Sequence, residues 1–169
     1  MRPNSVEFSE QLHAAAMESI ATVGRWMPWC HSARTMEEGV KWLRNTQASW
    51  DLGAEYEFTL FTPSGEYLGA AGLNQFNRVH NFANLGYWVR ESRQRQGIAV
   101  EAATLLADFG FSSVGLNRIE IIIAEENYPS RGVAEKLGAT YEGIARNRLL
   151  LRGIPIPAAV YSLVPDVDP

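Results

Sequence analysis

The stretch Gln94-Arg95-Gln96-Gly97-Ile98-Ala99 puts positive charge, side-chain amides and a glycine directly before an alanine-rich, helix-favouring run. The first amides of a helix have no partners within it, and the aligned peptide dipoles leave partial positive charge at that end. An anion can bind there. Gly97 lets a ligand approach the backbone closely. Ala99 and Val100 keep that approach uncluttered, and Arg93 and Arg95 add mobile cations. The chemistry is that of a phosphate or pyrophosphate cradle between a strand and a helix. One glycine and two arginines alone fit a solvated surface loop equally well, so the stretch needs its context. The chain contains neither G-x-x-x-x-G-K-[ST] nor a G-x-G-x-x-G after a strand, which argues against a nucleotide triphosphatase and a dinucleotide-binding dehydrogenase.

Other chemistry-bearing residues are sparse. His13, His31 and His80 are scattered without metal-ligand spacing, so no metal is expected. The lone cysteine, Cys30, cannot form an intrachain disulfide and fits a buried structural thiol.

The elements that must position the cradle follow from periodicity. Apolar residues at helical spacing mark helices over 6–23 and 36–50. Alternating runs over 55–62 and 67–76 flank the turn Pro63-Ser64-Gly65-Glu66 and predict a hairpin, with a third strand over 82–90. Residues 97–115 read as a helix, and 118–126 as a buried, isoleucine-rich strand. Residues 128–138 read as a helix closed by Gly138, and 142–151 and 157–164 as a terminal hairpin. Three antiparallel strands followed by a β–α–β crossover give an α+β class, with a mixed sheet and helices on its faces.

The chain has 169 residues, enough for one domain that buries roughly 70% of its unfolded surface. Its formal net charge of −4 argues against nucleic acid or an anionic membrane as the main partner. No run has signal-peptide character or membrane-span length, and a reducing cytoplasm fits the single cysteine.

In this order the motifs resemble the GNAT superfamily of acetyl-coenzyme A-dependent N-acetyltransferases, and most of all its RimJ/RimL-type branch, over residues 56–164. Gln94 to Ala99 matches the pyrophosphate loop, Leu85-Gly86-Tyr87-Trp88-Val89 the strand before it, and Asn127 with Ser130 the branch's N-x-x-S. Val133 to Gly138, Glu142-Gly143 and Tyr161-Ser162-Leu163 match the closing elements. The resemblance implies one GNAT domain over 1–169, with a mostly antiparallel sheet splayed between strands 82–90 and 118–125. The family usually begins with a short strand, of which only Met1-Arg2-Pro3 remains, so the first strand is expected to be truncated.

The resemblance further implies that acetyl-CoA lies in the splay. Its pantetheine would pair near Val89, its diphosphate would rest on the amides of 95–99, and Gln94, Arg95, Gln96, Gly97, Ile98, Ala99 and Asn127 would contact it. A primary amine, either a protein N-terminus or a small molecule, would attack the thioester directly. Many members carry a glutamate at the position of Asn84 and a tyrosine at that of Ala134. The RimL-like alternatives are Glu91 as base and Ser130 as acid. Trp29, Asn84 and Trp88, with Trp26, Phe76 and Phe82, could line the acceptor slot. The apolar hairpin around Arg152 to Ala159 could pair two subunits as a homodimer. The competing reading is a non-catalytic acyl-CoA-binding module.

Overall fold

Along Tyr56 to Phe61 the side chains alternate between two covered faces. In the computed structural model, which describes residues 1–165, Tyr56, Phe58 and Leu60 pack with one core cluster and Phe61 with another. The strands are β1 (Arg2–Pro3), β2 (Tyr56–Phe61), β3 (Tyr67–Asn77), β4 (Phe82–Val89), β5 (Arg118–Ala124), β6 (Thr140–Leu151) and β7 (Ile154–Leu163). Among the described residues they form one sheet in the order β1-β2-β3-β4-β5-β7-β6, with every pairing antiparallel except β4 with β5. The helices are α1 (Ser9–Glu18), α2 (Met36–Asp51), α3 (Ile98–Phe109) and α4 (Tyr128–Lys136). Residues 166–169 of the expected domain lie outside the described residues.

Two cores cover the two faces of the sheet. Ala102, Ala103, Leu106 and Ala107 of α3 pack on Leu73, Leu85, Ile119 and Ile121. The small α3 side chains let that helix approach the sheet closely. On the other face Leu12 and Ala15 of α1 and Leu43 of α2 meet Tyr67, Ala70 and Trp88. Cys30 is buried on that side, its thiol directed at the Ala16 carbonyl at 3.3 Å.

Three elements differ from the sequence pattern. Arg2 and Pro3 do pair with Thr59 and Phe58, so the short first strand forms as an edge of two residues. The helix expected over 6–23 is a 3-10 turn at Val6–Phe8 followed by α1, which ends at Glu18. There the Ser19 hydroxyl donates to the Ala15 carbonyl at 2.6 Å, and the Ser19 carbonyl takes the amides of Thr22, Val23 and Gly24, curling the chain into turns. The helix expected over 97–115 gives way after Phe109 to a π-helical turn, Gly110–Val114. No helix among the described residues is long and apolar enough to cross a membrane.

Asn4 ties the β1 edge to the rest. It is buried, donates to Thr46 Oγ1 at 3.1 Å, accepts from Thr59 Oγ1 at 2.8 Å, and its amide donates to the Glu57 carbonyl at 3.2 Å. Asn4→Ala strands the buried Thr59 hydroxyl, while Thr46 keeps its bond to the Leu43 carbonyl, and is expected to cost about 1–3 kcal/mol. A lowered urea midpoint at unchanged slope checks this.

Candidate active site

The parallel pairing of β4 with β5 covers only Phe82, Ala83 and Asn84, against Arg118, Ile119 and Glu120. Beyond it β4 stays with β3 as far as Val89, and β5 stays with β7 as far as Ala124. The sheet is therefore split from Leu85 onward. Asn84 sits at the apex, where its Oδ1 accepts the Ile122 amide at 3.4 Å. The Arg90 amide donates to the Leu68 carbonyl at 2.8 Å, so alternation turns the backbone groups of Tyr87 and Val89 away from β3 and into the gap. An extended, amide-containing ligand could pair there. The Val89 carbonyl already accepts from Gln94 Nε2 at 3.0 Å, which leaves its N–H for such pairing.

Below the gap, α3 begins at Gly97, whose φ of +82° is left-handed and whose missing Cβ faces open space. No side chain caps this helix, and among the described residues the amides of Ile98, Ala99 and Val100 find no acceptor. These are the free donors the sequence pattern predicts, and they fit an anion. Arg95 is exposed and in no ion pair among the described residues. Arg93 is not the mobile cation expected, because it pairs with Glu66 at 2.6 Å. Gln94 turns inward to Val89 and Thr22, and Gln96 folds back toward the Ser92 carbonyl at 3.5 Å.

The loop is pinned from the end of α1. Glu18 pairs with Arg90 and accepts the Ser92 amide at 2.8 Å, and these bonds hold its carboxyl down at about 2. The Glu91 amide donates to Ser19 Oγ at 3.0 Å. The Glu91 carboxylate is exposed and accepts from Thr22 Oγ1 at 3.1 Å.

Across the gap, Asn127 caps α4 by accepting the Ser130 amide at 3.3 Å, so its oxygen is committed and its NH₂ remains to donate. Ser130 Oγ lies 3.1 Å from the Tyr87 hydroxyl, which itself donates to the Ser130 carbonyl at 2.9 Å. Burial pushes the Tyr87 phenol up to about 12, so it stays protonated at neutral pH. Ala134 is fully buried core.

On the α1–α2 side lies a cavity of about 370 Å³, walled by Trp29, Trp42 and Trp88 with Met27 and Arg34. Trp29 meets Trp88 edge to face at 5.2 Å, and the Arg34 guanidinium stacks on Trp29 at 4.9 Å. Of the aromatics expected here, Trp29 and Trp88 line the cavity. Trp26 stacks under Arg25, and Phe76 packs on Tyr56 instead.

Glu57 also lines this cavity, and the sequence pattern offered no reason to single it out. Alternation puts it opposite Phe58, but only the packing of α1 and α2 shows that its face is covered too. Burial raises its carboxyl to about 7, although the Asn74 side chain donates to Oε1 at 3.0 Å and opposes the rise. Asn74 in turn accepts from Asn84 Nδ2 at 2.9 Å. Glu57 stands opposite Gly72 in the β2–β3 register, and a Cβ there would sit 2.2 Å from its carboxyl, so a larger residue would displace the carboxyl from this position. Glu91 is not among the lining residues.

A carboxyl raised in the folded state favours folding below its unfolded value near 4.5 and loses that contribution as pH rises to about 7. Glu57→Gln is therefore expected to match wild type near pH 4.5. At pH 8 it should be more stable by up to about 3 kcal/mol, as read by denaturant unfolding at both pH values.

Comparison with known proteins agrees with this geometry. YdaF of Bacillus subtilis (strain 168), provisionally named a ribosomal N-acetyltransferase, is 29% identical over 161 residues, covering 92% of this chain and 85% of YdaF. Spermidine N(1)-acetyltransferase of Escherichia coli (strain K12) is 30% identical over 89 residues, covering 53% of this chain and 48% of that enzyme. The structure of RimL, a ribosomal L7/L12 alpha-N-protein acetyltransferase, in complex with coenzyme A superposes with a TM-score of 0.90 at 23% identity, over 99% of this chain and 94% of RimL. The acetyltransferase (GNAT) domain pattern matches residues 2–140, and with the split sheet and the uncapped α3 it establishes that the chain belongs to the GNAT N-acetyltransferase family.

Proposed function

We propose that the protein transfers an acetyl group from acetyl-CoA to a primary amine, by direct attack with both substrates bound. The observation that carries this is the gap beyond Asn84 opening onto the uncapped amides of Ile98, Ala99 and Val100. Bound acetyl-CoA supplies the reactive thioester. The chain's own groups do the rest. The α3 amides and Arg95 hold the diphosphate, the Val89 N–H and the Asn127 NH₂ steady the pantetheine arm, and the neutral Ser130–Tyr87 pair offers a proton to the leaving sulfur. Glu91 acts mainly by anchoring the cradle loop, which its bonds to Ser19 and Thr22 support.

The acceptor is a small or terminal amine entering the cavity walled by Trp29, Trp42 and Trp88. The names of YdaF and of the spermidine enzyme span these two classes. We place the protein in the cytoplasm as one GNAT domain, and the exposed Tyr141, Ile144 and Leu150 along β6 support an edge-paired homodimer.

Calorimetric titration with acetyl-CoA tests the reading. Arg95→Glu combined with Gly97→Asp is expected to weaken binding by about tenfold or more, through like-charge repulsion and crowding of the cradle. Ser130→Ala is expected to bind normally but to slow thiol release by about 10–100-fold. Binding with no thiol release from any amine in a screen of peptides and polyamines would instead identify an acyl-CoA-binding module.

A further inference from the structure

We infer that Glu57, on β2, receives the ammonium of the acceptor and takes its proton, at the end of a side-chain relay that begins at the apex of the sheet gap. The inference rests on the N-acetyltransferase reading and adds to it the group that handles the amine.

The first observation is direction. The Ile122 amide can only donate, so the Asn84 atom it meets must be oxygen. Asn84 Nδ2 must then donate to Asn74 Oδ1, and Asn74 Nδ2 must donate to Glu57 Oε1. The relay therefore delivers an N–H to the carboxyl, which steadies its ionised form and fixes its place.

The second is location. Glu57 is the single carboxylate among the described residues lining the cavity, and that cavity shares Gly86, Tyr87 and Trp88 with the β4 edge of the gap. Gly72 and Gly86 are register partners, so the sheet beneath the carboxyl is bare backbone.

The third is an unmet need. Among the described residues Glu57 has no cationic partner and only Asn74 as a hydrogen-bond donor. Arg34 lines the same cavity but forms no ion pair with it. The other titratable groups near it are Glu55, just before its strand, and Tyr67 on β3, neither of them a cation. An ammonium between Trp29, Trp42 and Trp88 would supply the missing charge while the ring faces hold its substituents.

The step balances. The ammonium gives one proton to the Glu57 carboxylate. The freed nitrogen lone pair forms the C–N bond at the thioester carbonyl as the C–S bond breaks. The sulfur takes the Ser130 proton, and the second nitrogen proton restores that hydroxyl. Glu57 releases its proton to water as product leaves, so one proton is liberated per turnover.

The test uses n-butylammonium as probe, with tryptophan fluorescence as readout and n-butanol as the neutral control. Wild type is expected to bind the probe about tenfold tighter at pH 8 than at pH 5.5, because the amine stays charged while the carboxyl ionises. Glu57→Gln should lose the pH dependence and the tighter binding, keep its affinity for acetyl-CoA, and bind n-butanol like wild type. With any amine that is turned over, its kcat/KM should fall on the order of 100-fold. Probe binding that Glu57→Gln leaves intact, absence of probe binding by wild type, or loss of the pH dependence in Glu91→Gln instead would each overturn the inference. Failure of wild type to bind acetyl-CoA would defeat the enzyme reading separately, since the probe measurement does not require it.

Discussion

The parting of β4 from β5 after Asn84 is the constraint on which the site depends. A parallel pair that stops after three residues leaves two half-sheets, each anchored by a longer antiparallel ladder, β3 with β4 on one side and β5 with β7 on the other. The Asn84 side chain accepts the Ile122 amide of β5 just beyond the paired stretch, so the break starts at a defined residue with that polar group satisfied. The backbone of Tyr87 and Val89 then faces space that a ligand can enter.

That opening lets both faces of the sheet act at one place. Tyr87 and Trp88 are neighbours on β4 and, by the period of a strand, point to opposite faces. Tyr87 meets Ser130 of α4, and Trp88 walls the cavity under α1 and α2. In an unbroken sheet these groups would be separated by a layer of backbone. The loop before α3 is fixed by a different device: Glu18, Ser19 and Thr22, at and just beyond the end of α1, hold residues 90–94 through three side chains and two backbone amides. These contacts are largely exposed and weak singly, so their importance is geometric: they fix the loop that leads into α3.

The cradle was legible because its chemistry is local. A glycine with positive φ, a helix start without a cap and a cation beside it are properties of consecutive residues, and Gly97, Ile98, Ala99 and Arg95 stand as their order implies. Arg93 reads as a mobile cation in the sequence, but its partner Glu66 is set by how the strands fold back. The early end of α1 was hidden for the same reason: the periodicity continues past Ser19, and the Ser19 side chain and carbonyl redirect the chain.

Thus the sequence by itself determined the order of the main helices and strands, the α+β class, the family and the open helix start at Gly97, all of which rest on periodicity and short motifs. The tertiary structure alone decided which carboxylate the aromatic cavity encloses. Asn84 occupies the position where the family resemblance suggests a glutamate, and the packing of α1 and α2 instead encloses Glu57, two strands away and joined to Asn84 through Asn74. A strand's alternation says which residues share a face. Whether that face meets water or a wall of tryptophans depends on helices distant in the chain, and it is that enclosure which raises the Glu57 carboxyl toward neutrality.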